Sequence, residues 1–304
     1  MLLLLSGSAL ASGRIDVGRE VSLTIDYHTA QNTPIAGAAF ELYRVAAVSE
    51  KIAFTPTAQF AGYAEFMGED VTEAEWQILA DRLARDMALA DPPFEVYVNA
   101  SGEICRTETD AEGRIVFGEL ETGLYLLVGE NVVADGVYYS TLPTLVSLPT
   151  RAKVNAPWQY EPCIQPKPDE LPDEPIDLTV QKNWSGDSED ARPAQITVQL
   201  IKDGKPVEKS YGKVVLSKEN NWQHAWKDLP PGVYTVKETP VPDGYKDTYE
   251  HKEGLEIVTN TKPAPPGGGK LPQTGLLWWP VPVLAAAGMA LFALGWKRSR
   301  RKEG

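Results

Sequence analysis

Histidines, nucleophile motifs and basic patches are scarce in this chain, and each scarcity excludes a class of function. The three histidines, His28, His224 and His251, are scattered without metal-ligand spacing, and no serine lies in a nucleophile motif. We therefore expect no enzyme, no metal site and no cofactor. The formal net charge of −13 argues against nucleic acid as a partner, because phosphates require a basic patch.

Cysteine is equally scarce, with only Cys105 and Cys163 in the sequence. In an exported chain an even number of thiols permits a disulfide. Two thiols do not establish one, and two free buried cysteines are an equal alternative.

Long uncharged runs are scarce as well, and the one of membrane-spanning length lies at 276–296. Tryptophans at its two ends suit the two membrane interfaces, and the basic cluster at 297–302 is predicted to stay in the cytoplasm. The sequence therefore predicts a C-terminal transmembrane helix, with everything before it outside the cell.

Residues 1–13 are typical of the end of a secretory signal peptide. They contain a short apolar stretch and an Ala9-Leu10-Ala11 sequence suited to signal peptidase. A basic segment before the apolar stretch is missing, so we expect the true start to lie upstream.

The residues between these ends predict a mainly β protein with two Ig-like or prealbumin-like β-sandwich domains. The first domain, at 14–165, alternates apolar and polar residues along Val21–Tyr27, which indicates a half-buried strand. A capping box at Thr72–Glu75 opens a helical insertion with an apolar stripe that we interpret as core packing. Further strands are predicted at Phe40–Val45, Phe94–Val98, Ile115–Phe117, Leu124–Val128 and Thr144–Ser147.

The second domain, at 176–262, shows no helical pattern and is predicted to be an all-β sandwich. A proline-rich, acidic linker at 166–175 is predicted to be a semi-rigid spacer between the domains, and a Pro/Gly stalk at 263–270 follows the second. The strands predicted in the second domain are Leu178–Trp184, Ile196–Leu200, Trp226–Glu238 and Leu255–Thr261.

A short pattern occurs in both domains at the same spacing, which indicates the same sandwich type twice. The matching residues are Phe117, Leu120, Gly123, Tyr125 and Leu127 in the first domain, and Trp226, Leu229, Gly232, Tyr234 and Val236 in the second.

Lys182 is placed by alternation on the core face of its strand, between Val180 and Trp184. A buried ammonium is costly, and such a lysine shifts towards its neutral, nucleophilic form. Glu238 also points inward, so a buried ion pair is one interpretation. A reaction with Asn260 in the last strand is the other.

Several motifs support the second interpretation: Val180-x-Lys182-x-Trp184, Arg192-Pro193, Asn221-Trp222, Tyr234-Thr235-Val236-Lys237-Glu238 and Val258-Thr259-Asn260-Thr261. Together they resemble a Cna B-type domain over nearly the whole second domain. The resemblance implies an autocatalytic isopeptide bond, in which neutral Lys182 attacks the Asn260 carboxamide and ammonia leaves. Protonated Glu238 would polarise the carbonyl and shuttle protons. Simple alternation places Asn260 on the same strand face as Val258 and Glu256, opposite Leu255 and Ile257. A β-bulge near the strand end would turn it inward, but the sequence does not show one.

No such bond is expected in the first domain, since Tyr27 takes the position of Lys182 and Gly129 that of Glu238. As a hypothesis, a disulfide between the two cysteines replaces it. The run from Pro34 to Val45 resembles the N-terminal part of clostridial-type pilin subunits.

The pentapeptide Leu271-Pro272-Gln273-Thr274-Gly275 precedes the apolar run and the basic tail. At 271–304 this ordered triple resembles the LPxTG sorting signal of Gram-positive wall-anchored proteins. It implies that a sortase cuts between Thr274 and Gly275 and joins the Thr274 carbonyl to an amine of peptidoglycan or of another pilin subunit. The membrane anchorage would be transient, and the protein would become extracellular and anchored to the cell wall.

Trp158, Tyr160 and the run Ile164-Gln165-Pro166-Lys167 resemble the pilin motif, with Gln165 in place of its tyrosine. The resemblance makes Lys167 a candidate acceptor for the acyl group of the next subunit, and a solvated linker charge is the alternative. We favour a structural, pilin-like sortase substrate. The alternatives are a monomeric wall-anchored adhesin or stalk that binds a host or cell-surface ligand, and a displayed enzyme, which the scarcities above disfavour.

Overall fold

The structure is a computed structural model, and its described part consists mainly of β-strands. In that part, no helix combines the length and the hydropathy that crossing a bilayer requires. The predicted transmembrane helix at 276–296 lies outside the described residues, as does nearly all of the predicted signal remnant and stalk. The structure describes residues 13–68, 71–151, 156–171 and 173–263.

In its described residues, the N-terminal region, 13–171, consists mainly of strands, with a 3₁₀ segment at Ala58–Phe66 and one α-helix. Its strands are β1 (Val21–Asp26), β2 (Ala39–Val48), β3 (Phe54–Pro56), β4 (Arg106–Glu108), β5 (Arg114–Leu120), β6 (Gly123–Gly129), β7 (Val132–Ala134), β8 (Val137–Thr141), β9 (Thr144–Leu148), β10 (Cys163–Ile164) and β11 (Pro168–Leu171). They form three sheets, with the orders β10-β1-β5, β3-β2-β6-β9 and β11-β8-β7, and β4 also pairs with β2.

The sheet built on β2 and β6 is buried on both faces. Leu42 and Leu127 pack against the β10-β1-β5 sheet in one core. Tyr43 and Leu126 point the other way, into a second core under the helix. Because both faces are covered, β6 is an almost continuous apolar run rather than an alternating one.

Helix α1 (Glu73–Ala88) covers the second of these faces. The Thr72 hydroxyl accepts a hydrogen bond from the Glu75 N–H at 3.3 Å, and the Glu75 carboxylate accepts one from the Thr72 N–H at 2.8 Å. The predicted capping box is therefore confirmed. Leu79 and Leu83 of the apolar stripe are buried, as core packing requires.

The C-terminal region, residues 173–263, is a β-sandwich. Its strands are β12 (Ile176–Ser185), β13 (Gln195–Lys202), β14 (Lys205–Pro206), β15 (Lys213–Ser217), β16 (Gln223–Leu229), β17 (Tyr234–Glu238), β18 (Lys246–Lys252) and β19 (Leu255–Thr261). One sheet has the order β16-β12-β19-β18, and in the other β13 lies between β17 on one side and β15 and β14 on the other. Val180 and Val258 from the first sheet meet Val198 and Val236 from the second in a single core. The predicted mainly β fold is confirmed.

Two strand predictions were wrong. Trp226–Glu238 is not one strand but β16 and β17, which belong to different sheets, because Pro230-Pro231 interrupts the backbone pairing between them. Phe94–Val98 forms a single bridge, from Val98 to Ile104. Its apolar pattern reflects burial under the helix rather than strand pairing.

The linker predicted at 166–175 is not a free spacer along its first half. Its residues Pro168–Leu171 form β11, which pairs antiparallel with β8 from Pro168–Thr141 to Leu171–Tyr138. The segment therefore belongs to the N-terminal region as far as Leu171.

The two regions repeat one topology. Strand β1 pairs antiparallel with β5 and parallel with β10, and β12 pairs antiparallel with β16 and parallel with β19. A register shift interrupts both antiparallel pairs at the same place, between Val21 and Leu23 and between Ile176 and Leu178. Strand β2 pairs with β6 as β13 pairs with β17. The repeat predicted from the shared spacing is therefore a repeat of strand order.

Candidate cross-linking site

Three of the predicted site residues come together in the core of the C-terminal region. Lys182 on β12 and Asn260 on β19 lie on adjacent parallel strands, and Glu238 is the last residue of β17 in the facing sheet. Residues on the inner faces of two packed sheets meet between them. Lys182, Glu238 and Asn260 are 2%, 1% and 0% exposed.

The Glu238 carboxylate lies between the other two side chains. Its Oε2 is 3.0 Å from Lys182 Nζ, and its Oε1 accepts a hydrogen bond from Asn260 Nδ2 at 3.0 Å. Among the described residues, Lys182 Nζ and Asn260 Oδ1 have no partner in hydrogen-bonding geometry. Buried polar atoms left in this state are rare and call for an explanation.

Asn260 points inward without a β-bulge in its strand. Strand β19 pairs with β12 without interruption from Leu255 to Thr261, and its buried side chains are Glu256, Val258 and Asn260. The core-facing side of β19 is thus the side that carries Glu256. A charged residue can occupy that side because Arg85 of helix α1 pairs with Glu256 at 2.8 Å.

Aromatic rings enclose the lysine on one side. Lys182 Nζ lies 4.6 Å from the centroid of the Trp184 ring. The rings of Trp222 and Tyr245 each meet Trp184 edge-on, with centroids 5.2 Å away. A site with such walls excludes water and raises the cost of any charge within it.

Burial moves both ionisable groups of the site towards their neutral forms. It lowers the pKa of Lys182 to about 8, although the negative charge of Glu238 opposes the shift. It raises the pKa of Glu238, although Lys182 opposes that shift too. A neutral amine and a protonated carboxyl group are the forms that nucleophilic attack and proton transfer require.

Sequence reasoning missed two residues that border the site, Asp247 and Tyr249 on β18. The Tyr249 hydroxyl accepts a hydrogen bond from the Glu238 N–H at 3.1 Å and donates one to Asp247 Oδ2 at 2.8 Å. Because β18 contains mostly polar and charged residues, hydrophobic alternation gives no signal for it.

Lys167, the candidate acceptor, lies apart from this cluster. It is exposed and immediately precedes β11, whose backbone is paired with β8. Gln165, two residues earlier, donates a hydrogen bond to Asp26 Oδ2 at 3.0 Å. The amine therefore extends from backbone that is held on both sides.

The structure corrects the hypothesis of a disulfide, because Cys105 and Cys163 are both free thiols. Cys105 is buried in the core, and burial raises the pKa of its thiol to about 11. Cys163 is exposed on β10. One side chain faces the core and the other faces solvent, so they do not meet.

The proposed sortase residues, Leu271–Gly275, lie outside the described residues. The structure therefore leaves that prediction as it stands.

Residues 178–261, which contain all three residues of the cross-linking site, match the family model of the Cna protein B-type domain. This stretch is similar to Cna B-type domains. The expectation drawn from its motifs is thereby confirmed at the level of the domain. Part of the chain is also similar to a collagen adhesin of Staphylococcus aureus, at 35% identity over 91 residues. That match spans 27% of this chain and 7% of the adhesin.

Several solved structures align with most of this chain at low identity. Two B repeat units of the collagen-binding protein of S. aureus align at 17% identity and a TM-score of 0.27, over 81% of this chain and 49% of theirs. A streptococcal ancillary pilin aligns at 17% identity and a TM-score of 0.28, over 80% of this chain and 62% of the pilin. The major pilin SpaD of Corynebacterium diphtheriae aligns at 16% identity and a TM-score of 0.32, over 81% of this chain and 65% of the pilin. This chain covers less than two thirds of each of them.

Proposed function

We propose that the chain is a structural, pilin-like subunit of a Gram-positive cell surface, with an isopeptide bond between Lys182 and Asn260. Its sorting signal makes it the substrate of a sortase that cuts after Thr274, so the protein itself is not an enzyme acting on other molecules. The Cna B-type domain and the sequence of the sorting signal support this function.

The observation that carries the cross-link is the position of Glu238, with one carboxyl oxygen at the nucleophile and the other at the leaving group. The lone pair of neutral Lys182 Nζ attacks Cγ of Asn260. Nζ gives one proton to Oε2 of Glu238, and the protonated carboxyl gives one proton from Oε1 to Nδ2 of Asn260. The Cγ–Nδ2 bond breaks, ammonia leaves, and Glu238 ends with as many protons as it began with.

A plain buried ion pair is the alternative at this site. It would leave Asn260 Oδ1 buried without a donor among the described residues, and it requires both charges inside an apolar core. The shifts of both pKa values towards neutral groups favour the reaction over the ion pair.

Intact-mass measurement of the denatured protein tests the cross-link. We expect the wild type to be lighter than its sequence mass by one ammonia, about 17 Da, and the Glu238→Gln variant to have its full sequence mass. Glu219→Gln, at an exposed position, is the matched control and should lose ammonia like the wild type. A wild type at full sequence mass would leave the ion pair as the function of the site.

The pilin role rests on Lys167, whose exposed amine extends from a fixed backbone. A monomeric adhesin is the second candidate, favoured by the similarity of part of this chain to part of a collagen adhesin. Cell-wall material released by a muralytic enzyme and blotted after denaturing electrophoresis separates the two. A high-mass ladder that is lost in Lys167→Ala and kept in Lys209→Ala supports the pilin, whereas a single band in every strain supports the adhesin.

A further inference from the structure

Helix α1 of the N-terminal region presents two arginines to the Cna B-type domain. Arg82 donates to the Asp247 carboxylate at 2.6 Å and to the Asp247 carbonyl at 2.9 Å. Arg85 donates to the Val236 carbonyl at 2.9 Å and to Glu256 Oε2 at 2.8 Å. We call these two arginines and the groups they bind the helix clasp.

Arg85, Asp247 and Glu256 of the clasp are buried, and each of the two regions supplies both a cation and a carboxylate to the contact. Arg85 is 7% exposed and Glu256 is fully buried at 0%. Lys237 of the Cna B-type domain lies 2.5 Å from Asp86 of the helix and 3.1 Å from Asp247. A buried carboxylate without its cation is strongly unfavourable. The domain therefore contains acidic groups that depend on the helix for their compensation.

The clasp reaches the strand that carries Glu238. Arg85 holds the carbonyl of Val236, two residues before Glu238 on β17. Arg82 holds Asp247, which accepts from the Tyr249 hydroxyl, and that hydroxyl in turn accepts the Glu238 N–H. The Arg85 guanidinium also lies 5.0 Å from the centroid of the Tyr249 ring. Two contacts thus hold the backbone that leads into Glu238, one at the Val236 carbonyl and one at the Glu238 N–H.

The clasp also reaches the strand that carries Asn260. Glu256 lies on the same buried face of β19, four residues earlier, and binds both Arg85 and His251 Nδ1, the latter at 2.6 Å. Strand β19 is thereby held from the helix side. The positions of Glu238 and Asn260 relative to Lys182 decide whether attack can occur, and misplacement by about 1 Å can slow such a step by about a hundredfold.

We propose that docking of helix α1 positions Glu238 and Asn260, so that the isopeptide bond forms at its full rate only when the N-terminal region is folded against the Cna B-type domain. Arg82, Arg85 and Tyr249 are positioning residues, since none of them touches the reacting atoms. This inference rests on the proposed cross-link. It implies an order of events in which the two regions dock first and the covalent bond forms afterwards.

The test follows bond formation over time in the full chain. Protein made by cell-free translation is quenched in acid at intervals, and the fraction that has lost ammonia is measured by intact mass. We expect the Arg82→Ala/Arg85→Ala variant to lose ammonia at least about tenfold more slowly than the wild type. Arg14→Ala, which removes an exposed arginine paired with Glu50, should behave like the wild type.

Hydrogen exchange on the same samples reports docking directly, through the amides of α1 and β18. If helix α1 were undocked in the double variant and ammonia loss kept its wild-type rate, the proposed dependence of bond formation on docking would be wrong. The proposed cross-link itself would be unaffected by that result. A wild type that never loses ammonia would overturn the proposed cross-link itself, so the two failures are distinguishable.

Two conservative variants keep the test decisive where the double variant fails to fold. Tyr249→Phe keeps the ring and removes only the hydroxyl that links Glu238 to Asp247, and we expect slower ammonia loss with the strands of the domain still protected from exchange. Arg85→Lys keeps a cation beside Glu256 and should recover part of the rate lost in Arg85→Ala. Wild-type rates for Tyr249→Phe and Arg85→Ala would overturn the proposal.

Discussion

The two sandwiches of this chain have the same frame and complete it differently. Tyr27 follows β1 at the position that Lys182 occupies in β12, and Gly129 stands opposite Phe40 as Glu238 stands opposite Val198. The N-terminal region thus has no counterpart of Lys182 or of Glu238 at these two positions.

Aromatic packing fills the corresponding space in the N-terminal region. The rings of Tyr27 and Phe40 meet edge-on with centroids 5.3 Å apart, and the Tyr27 hydroxyl accepts a hydrogen bond from Thr141 Oγ1 at 2.6 Å. A Cβ at Gly129 would lie 2.9 Å from the Phe40 ring, so the glycine makes room for it.

The difference follows from how much each region can bury. The N-terminal region has two cores, one between its sheets and one under helix α1, whereas the described C-terminal region has one. A small domain with a single core gains little stability from burial alone. The proposed cross-link lies at the position where the N-terminal region has aromatic packing. It would add to the stability that the C-terminal region gains from burial.

The largest expected effect comes from removing the bond alone. Asn260→Ala leaves Lys182 paired with Glu238 but removes the acyl group, and closing a loop of this length by a cross-link is worth about 4 kcal/mol by analogy with disulfides. We expect denaturant unfolding to show that loss in the C-terminal region and little change in the N-terminal one. Equal stability of variant and wild type would mean that no bond forms.

The second prediction breaks the aromatic packing of the other sandwich. Gly129→Ala places a methyl group against Phe40, and overpacking of this kind costs up to about 3 kcal/mol. Gly118→Ala, where a Cβ meets nothing within 4 Å, is the control. The midpoint of urea unfolding should fall to a lower urea concentration for Gly129→Ala and should stay at the wild-type value for Gly118→Ala. If both variants matched the wild type, the space around Phe40 would be looser than the contacts indicate.

The third prediction concerns Asp247, where the two regions meet. Burial acts to raise the pKa of Asp247, but Lys237, Tyr249 and Arg82 outweigh it and bring the pKa to about 2. Because the folded pKa lies below the ordinary value of 3.8, the stabilisation is complete above that value and is lost as the pH falls through about 2. The shift corresponds to about 2 kcal/mol.

Urea unfolding at about pH 5 and about pH 2 measures this loss. Asp247→Asn should have a lower free energy of unfolding than the wild type at the higher pH. Its free energy of unfolding should also fall less between the two pH values. Asp190→Asn, at an exposed position, should keep the pH dependence of the wild type. An unchanged acid response in Asp247→Asn would show that other groups govern it.

The smallest expected effect tests the shared frame itself. The Tyr125 hydroxyl donates to the Glu121 carbonyl at 2.6 Å, and the Tyr234 hydroxyl donates to the Pro230 carbonyl at 2.7 Å, each four residues back along the chain. Replacing either tyrosine by phenylalanine should cost about 1 kcal/mol in its own region. A clear loss in one region and none in the other would show that the repeat does not extend to these bonds.

Local patterns in the sequence predicted much of this fold. The capping box at Thr72 and the stripe through Leu79 located the helix, because both signals depend on neighbours within a few turns. The spacing shared by Tyr125 and Tyr234 indicated the repeated sandwich, and the alternation around Lys182 placed the amine in the core.

The features that the sequence did not predict depend on contacts between residues that are far apart along the chain. Glu256 was expected to mark the solvent face of β19, and only its pairing with Arg85 makes that face a core face. Strand β18 was missed because its buried residue, Asp247, is charged. Hydrophobic periodicity has no means of detecting a charge that another region compensates.

The parallel pairing of β12 with β19 has a mechanical consequence. The chain enters the domain at Ile176 and leaves at Thr261, at opposite ends of two strands that run side by side in the same direction. Tension applied at these two points stretches the whole ladder of hydrogen bonds in shear instead of peeling it one bond at a time. With Lys182 joined to Asn260, the force would pass from strand to strand through the covalent bond, and residues 183–259 would stay slack however hard the ends were pulled.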